Sequence, residues 1–258
     1  MGEHVRTVIE GQIGIVTIDN PPVNAIAWPI RVEIREALEA LAADDGIRVV
    51  ILTGAGEKIF VAGADITEFP PLRYASGIER QQRNREWWDY VAHYVKPLLA
   101  ALNGHTLGGG LELAMCCDVR IAASHARLGL PETGLGIIPA GGGTQRLARL
   151  VGAGRAKLMI FSAEPLSAEG AERCGLVEKV VPGDRLLDEC RSLAAKIVSR
   201  GPLAVQLAKE AINAGFERPL AEGLDYESEC FARLMDTEDK NEGVAAFLEK
   251  RTPSWRGR

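Results

Sequence analysis

The sequence predicts an α/β fold that is followed by a helical C-terminal region, and three observations support this. Short apolar stretches typical of strands recur through the first two-thirds of the chain, with helical patterns between them. After about residue 165 the patterns become almost wholly helical. The length of 258 residues suits one α/β domain with a helical appendage.

The predicted elements of the first half follow from apolar spacing. IGIVTID at 13–19 alternates like a half-buried strand and ends at two prolines. Residues 30–43 carry apolar side chains at helical spacing, with arginines and glutamates between them. Continuous apolar runs predict buried strands at 49–54, 97–104 and 119–124.

The second half contains one more strand and a series of helices. Ser167 resembles a helix N-cap, and Gly175 should end that helix. LVEKVVP at 176–182 predicts a last short strand. From Asp184 the pattern is helical, with breaks at Gly201-Pro202, Pro219 and near Asp236. We therefore predict an α/β core at 1–195 and a helical oligomerisation region at 196–258.

Composition excludes several classes of protein. The net charge of −5 argues against a nucleic-acid binder, which usually carries a basic face. No apolar run approaches the ~18 residues of a membrane span, and the N-terminus lacks a signal-peptide pattern. The five cysteines have no disulfide-framework spacing, so we expect reduced thiols in a cytoplasmic protein. There is no CxxC or HExxH, and we expect no metal site.

In the stretch NGHTLGGGLELAMCCD at 103–118, Glu112 is the only charged side chain between Thr106 and Cys117. A helix that is apolar all round is buried, and an unpaired buried carboxylate costs several kcal/mol. Glu112 is therefore paired, neutral or directed into a cavity that needs it. A structural partner, such as Arg120 or a backbone amide, and a catalytic role are both open at this point.

Two glycine-containing turns are candidate anion sites. Gly108-Gly109-Gly110 lies between a predicted strand and the helix that follows it, and the first amides of a helix have no internal partner. FVAGADI at 60–66 follows a buried strand, and its small residues can expose amides. Amides from both turns could converge as an oxyanion hole, although each turn alone is also explained by tight chain reversal.

A second carboxylate, Glu132, follows a proline in LGLPETGLGIIPAGGGTQRL at 128–147. A glycine-rich turn and a helix that starts near Thr144 come after it. Taken alone, Glu132 is most simply interpreted as an exposed loop acid. Trp87 and Trp88 lie in a helical stretch, where they either pack the helix or shape a pocket.

Together these segments resemble the enoyl-CoA hydratase (crotonase) family. NPPVNAI near the start and EGVAAFLEKRTPSW near the end are also similar to that family, so the resemblance covers essentially the whole chain. It implies a right-handed spiral of ββα units followed by helices used in trimerisation. Homotrimers, or homohexamers of stacked trimers, are expected.

The resemblance also implies a site. The thioester carbonyl of an acyl-CoA would lie between the amides of Ala64 and Gly109, with Glu112 and Glu132 as catalytic residues. Both glutamates are typical of hydratases, whereas isomerases and hydrolases of the family often lack one or both. We therefore expect hydration of trans-2-enoyl-CoA in fatty acid β-oxidation, with no cofactor, because CoA is part of the substrate. The expected CoA-binding residues are Ala25, Ala62, Gly63, Asp65, Ile66 and Lys250.

The CoA phosphates need cations, and the candidates are Arg31, Lys58 and, from a neighbouring subunit, Lys250. The chain departs from the family after GIIP, where Ala140-Gly141-Gly142-Gly143 replaces the usual Gly-Ala-Gly-Gly. We expect only a small local change there.

Three alternative functions remain to be compared with hydration: a dinucleotide-dependent oxidoreductase, another reaction of the same family, and a non-catalytic binding protein. Gly54-x-Gly56 follows a strand, as in a dinucleotide-dependent oxidoreductase, but Ile59 occupies the position of the third glycine. Within the family, an isomerase or hydrolase is the alternative. A non-catalytic CoA-binding or RNA-binding member gains no support from a chain that carries both glutamates.

Overall fold

A computed structural model describes residues 2–69 and 71–258. Its strands are β1 Val5–Glu10, β2 Ile13–Ile18, β3 Val49–Gly54, β4 Ile59–Val61, β5 Leu98–Leu102, β6 His105–Leu107, β7 Val119–Ala123, β8 Arg127–Gly129, β9 Leu166–Ser167 and β10 Lys179–Val181. Its α-helices are α1 Trp28–Ala43, α2 Tyr74–Ala92, α3 Gly109–Cys116, α4 Gly143–Val151, α5 Ala153–Ser162, α6 Ala168–Arg173, α7 Leu186–Val198, α8 Pro202–Gly215, α9 Leu220–Leu234 and α10 Glu238–Glu249.

The strands form two sheets. The larger has the order β1-β2-β3-β5-β7-β10 and is parallel except for the β1–β2 pair. The smaller has the order β4-β6-β8-β9 and is parallel except for the β8–β9 pair. Three successive repeats, β3-β4-α2, β5-β6-α3 and β7-β8-α4, each give one strand to each sheet. The chain therefore winds as the spiral of ββα units that the sequence predicts.

Both faces of the large sheet are buried, which explains its continuous apolar strands. Val50 and Leu52 of β3 face the main core between the sheets and the helices α1–α3. Val49 and Ile51 face the opposite way, into a second core covered by α7. A strand buried on both faces has no polar side to alternate with.

The prediction for residues 176–182 is only partly correct. The strand is shorter, Lys179–Val181, and pairs with Ile121–Ala123. The amide of Leu176 instead donates to the carbonyl of Ala171 (2.9 Å) and closes the end of α6. Ser167 does cap that helix, since its side chain accepts from the Gly170 amide.

The helical C-terminal region consists of α8, α9 and α10. The boundary predicted at residue 195 falls inside α7, which packs on the large sheet, so the division into 1–195 and 196–258 stays a prediction. No helix in the described part of the chain is long and apolar enough to cross a membrane. Many large apolar side chains of the segment from α8 to α10 are more than half exposed: Ile212, Phe216, Leu220, Leu224, Phe231, Val244, Phe247 and Leu248.

Candidate active site

Glu112 lies in the first turn of α3 and is only 4% exposed. Its Oε1 accepts hydrogen bonds from the backbone amides of Gly141 (2.7 Å) and Gly143 (2.8 Å). Arg120, the other candidate partner, instead binds Glu178 (2.5 Å). The buried carboxylate is thus held by a backbone cradle, the second of the structural alternatives that the sequence left open.

Glycine is required in this cradle because the carboxylate lies so close to the backbone. A Cβ at Gly141 would lie 2.6 Å from Oε2 of Glu112 and 2.5 Å from the ring of Trp88. A Cβ at Gly143 would lie 2.8 Å from Oε1 of Glu112. The unusual Ala140 is exposed and outside the cradle, so this departure leaves the glutamate's partners unchanged.

Glu132 lies in the 3-10 helix Pro131–Leu135 and is half-buried rather than an exposed loop acid. Its Oε1 faces Gly108, where a Cβ would lie only 3.0 Å away. Its Oε2 is buried and has no hydrogen-bond partner within residues 2–69 and 71–258. Burial, followed by the charge of Glu112, raises the pKa of Glu132 to about 7.

The pKa of Glu112 is also raised by burial, but its own surroundings oppose that effect. The amides of Gly143 and Gly141 stabilise the ionised form and reduce this rise, although the pKa stays above its ordinary value. The two carboxyls therefore differ in chemistry: one accepts two amide hydrogen bonds, and the other has a free buried oxygen. Such a difference in surroundings between two neighbouring carboxyls is typical of an acid–base pair.

The two glycine turns meet beside the glutamates. Gly108 precedes α3 with φ +53°, and Gly63 has φ +121°. A Cβ on Gly109 would lie 3.3 Å from the amide nitrogen of Ala64. Among the described residues the Ala64 amide donates to no acceptor, and Gly109 opens a helix whose first amides are free. The backbone therefore offers two adjacent unused donors.

The comparisons with known proteins agree with this geometry. A sequence profile described as enoyl-CoA hydratase/isomerase matches residues 8–258. The chain belongs to the enoyl-CoA hydratase/isomerase family. It is 45% identical over 243 residues to a short-chain-enoyl-CoA hydratase of Clostridium acetobutylicum, covering 94% of this chain and 93% of that protein. It is 43% identical over 250 residues to a crotonyl-CoA hydratase of Syntrophomonas wolfei, covering 96% of each.

A solved structure shows that the fold extends over the whole chain. The crystal structure of an enoyl-CoA hydratase from Bacillus anthracis superposes with a TM-score of 0.94 at 41% identity, covering 99% of this chain and 100% of that chain. The crotonase fold predicted from the sequence is confirmed. The dinucleotide-binding alternative also fails structurally, because β3 leads into another strand, β4, and not into a helix.

Most of the expected CoA-binding residues of this family member lie together. The Ile26 amide donates to the Gly63 carbonyl (2.9 Å), and the Ala62 amide donates to the Val23 carbonyl (3.1 Å). These bonds tie the segment that contains Ala25 to the loop at 62–66, where Asp65 caps a short 3-10 helix and Ile66 is 56% exposed. Lys250 lies elsewhere, at the C-terminal end of α10. Its role stays a prediction.

The prediction that Arg31 contacts a CoA phosphate is wrong. Arg31 is only 4% exposed, and its guanidinium packs 5.1 Å from the ring centroid of Trp88 and 5.4 Å from that of Trp87. A side chain held there is not available to a phosphate at the surface, whereas Lys58 is exposed. Within the described residues, no group of three or more His, Cys, Asp or Glu side chains forms a candidate metal site.

Proposed function

We propose that this protein is an enoyl-CoA hydratase, which adds water across the C2=C3 bond of a trans-2-enoyl-CoA to give a 3-hydroxyacyl-CoA. The observation that carries this proposal is the unequal pair of carboxyls beside two free backbone amides. Glu112 is held by two amides, and Glu132 has a pKa of about 7. The family membership and the names of the relatives support the same activity.

The amides of Ala64 and Gly109 polarise the thioester carbonyl. Negative charge develops on that oxygen as the substrate takes on enolate character, and preorganised donors stabilise it by about 3–4 kcal/mol each. Withdrawal of electrons toward the carbonyl makes C3 electrophilic. This step needs only that the two amides stay free for the substrate.

The two glutamates supply and remove protons. Glu112 orients a water and accepts its proton while the water oxygen bonds to C3. Protonated Glu132 donates its proton to C2, so that one water is added in total. General acid–base catalysis of this kind contributes about 10²–10⁴-fold. The amides at Glu112 and the raised pKa of Glu132 suit these roles of base and acid.

We further propose that the active protein is a homotrimer or homohexamer and needs no metal or other cofactor. The exposed apolar side chains of α8–α10 need a covering surface, which a second subunit would provide. In that assembly Lys250 and the exposed Lys58 would be placed to meet CoA phosphates. Dialysis against EDTA should leave the rate of hydration unchanged, and a loss restored by a divalent ion would contradict the cofactor proposal.

Product analysis tests the proposed reaction against the family alternatives. The protein is incubated with trans-2-enoyl-CoAs of four to sixteen carbons in ¹⁸O-labelled water. A hydratase forms 3-hydroxyacyl-CoA with the label at C3. A shifted double bond without label would show an isomerase, and free CoA would show a hydrolase. Binding without turnover of any substrate would show a non-catalytic member.

A further inference from the structure

Arg31 carries hydrogen-bond donors that the chain does not use. Its Nε donates to the carbonyl of Ile26 (3.0 Å). Nη1 and Nη2 donate to no acceptor among residues 2–69 and 71–258, and no carboxylate there forms an ion pair with them. Stacking on Trp87 and Trp88 orients the guanidinium but satisfies none of these donors. Neither nitrogen is fully enclosed, so both border open space from which water or a ligand can accept their hydrogen bonds.

Asn84 in α2 presents a second case of the same kind. It is 5% exposed, and its side-chain amide makes no hydrogen bond within the described residues. Arg80 lies one turn earlier, on the same face of the helix. It pairs with Glu68 (2.7 Å), but its Nε is buried and has no partner in the part of the chain that the structure describes. The buried face of α2 therefore carries unused polar groups one turn from Trp87 and Trp88, the rings that contact Arg31.

These donors border the candidate active site. The carbonyl of Ile26 accepts from Arg31, and the amide of Ile26 donates to the Gly63 carbonyl. The Cδ1 of Ile26 would lie 3.6 Å from a Cβ placed on Gly109. This places Arg31 next to the free amides. On its other side, Arg31 stacks on Trp88, whose ring lies against Gly141 in the cradle of Glu112.

The acyl chain of a bound thioester would run toward the same donors. With the carbonyl at Ala64 and Gly109, the expected CoA contacts take up the loop at 62–66. The acyl chain would then leave on the other side, past Glu112 toward Trp88 and α2, because the ring of Trp88 lies against Gly141 beside Glu112. Its far end would then meet Arg31 and Asn84.

The charges around Arg31 favour an anion there. Burial, and after it the charge of Arg80, lowers the pKa of Arg31 to about 10, so the guanidinium stays cationic at neutral pH. Arg83 also faces it. The carboxylates that face it are Glu112, whose Oε1 already accepts two amides, and Glu68, which pairs with Arg80. Positive charge is therefore in excess.

We propose that Arg31 and Asn84 bind a carboxylate at the far end of the acyl chain, so that the preferred substrate is the mono-CoA thioester of an unsaturated dicarboxylic acid. This rests on the proposed function, which fixes where the thioester lies. The two free nitrogens of a guanidinium can bind both oxygens of a carboxylate, and the Asn84 amide adds a third donor. A methyl-ended acyl chain would leave these donors unpaired.

Equilibrium binding tests the proposal with saturated thioesters, which cannot be hydrated. Calorimetry compares succinyl-, glutaryl- and adipyl-CoA with butyryl-, pentanoyl- and hexanoyl-CoA on the full-length protein. At one or more of these lengths we expect the carboxylated ligand to bind at least ~10-fold tighter. Arg31→Met and Asn84→Leu, which keep similar volume, should remove most of that preference.

Arg85→Met is the matched control, since it removes an exposed cation of the same helix that pairs with Asp89 (3.4 Å) and should leave the preference intact. No preference at any length in the wild type would overturn the proposal. Equal losses for both ligand classes in Arg31→Met and Asn84→Leu would overturn it too, because these residues would then act on the fold or on Glu112.

A kinetic comparison separates this inference from the proposed function. The ratio of kcat/KM for a carboxylated over a neutral 2-enoyl-CoA of equal length should fall at least ~10-fold in both variants. If the protein hydrates crotonyl-CoA but shows no preference for carboxylated thioesters, only the dicarboxylate proposal is contradicted. If the protein prefers to bind carboxylated thioesters but hydrates no enoyl-CoA, only the proposed function is contradicted.

Discussion

The carboxylate of Glu132 faces Gly108, the residue that precedes the helix carrying Glu112. A Cβ at Gly108 would lie 3.0 Å from Oε1 of Glu132, and the Glu112 amide donates to the Gly108 carbonyl (3.0 Å). One turn of backbone therefore sets the position of both glutamates relative to each other. The geometry allows specific predictions about pH, glycine substitution and assembly.

The rate of hydration should fall above about pH 7. Glu132 must be protonated to donate to C2, and its pKa is raised to about 7. The prediction is a descending limb in kcat/KM near that pH, measured with crotonyl-CoA from pH 5 to pH 9. Glu132→Gln should abolish the limb together with most of the rate. A wild-type rate that stays level to pH 9 would rule out a proton donor with this pKa.

The same pKa makes a prediction about stability. The folded-state pKa of Glu132 is about 7, above its ordinary 4.5, so between those values the folded state holds more protons than the unfolded state. The contribution of this group to stability is therefore full below about pH 4.5 and is lost as pH rises through about 7. Glu132→Gln should raise the melting temperature relative to wild type more at pH 8 than at pH 5. An equal difference at both values would show that the group titrates normally.

Gly109→Ala should lower kcat/KM by at least ~10-fold while the protein stays folded. The added methyl would lie 3.3 Å from the Ala64 amide nitrogen, between the two proposed carbonyl donors. Circular dichroism and hydration kinetics check the two parts of this prediction. Gly154→Ala is the control, because a Cβ there meets nothing within 4 Å. Unchanged kinetics in Gly109→Ala would show that the carbonyl binds elsewhere.

Substitutions on α10 should weaken assembly and acyl-CoA binding together. Phe247 is 83% exposed and near Lys250, so Phe247→Glu places a charge on the proposed subunit interface. Deletion from Asp236 onward should have the same effect. Light scattering and acyl-CoA titration measure both consequences, with Val8→Glu on β1 as the exposed control. A fully active monomer, in the variant or in the wild type, would refute a site that depends on a neighbour.

The central strands of the large sheet were predictable from the sequence because they are buried on both faces. β3, β5 and β7 are near-continuous apolar runs, which few other structures explain. The small sheet was not predictable, since β4, β6 and β8 are only three residues long. Such strands are too short to show the alternation of apolar and polar side chains that identifies a strand. β1 was missed because Val8 and Ile9 are exposed on an edge strand and give no clean alternation.

The site was predictable where a side chain conflicts with its surroundings. Glu112 is a charge in an apolar helix, and that conflict identified it. Its partners are backbone amides of Gly141 and Gly143, which leave no side-chain signal beyond the glycines themselves. Arg31 was misplaced because the charged spacing of α1 suggests a solvated face, whereas tryptophans 56 and 57 positions later in the chain bury it.

The most direct test of the account is the rate of crotonyl-CoA hydration by Glu112→Gln and Glu132→Gln. Glutamine keeps the shape of each side chain but can neither accept nor donate the proton as required. We expect each variant to lose at least ~10² in kcat with little change in affinity for acyl-CoA, while the exposed Glu164→Gln matches wild type. Full activity in either glutamine variant would remove that residue from the mechanism and contradict the paired acid–base site.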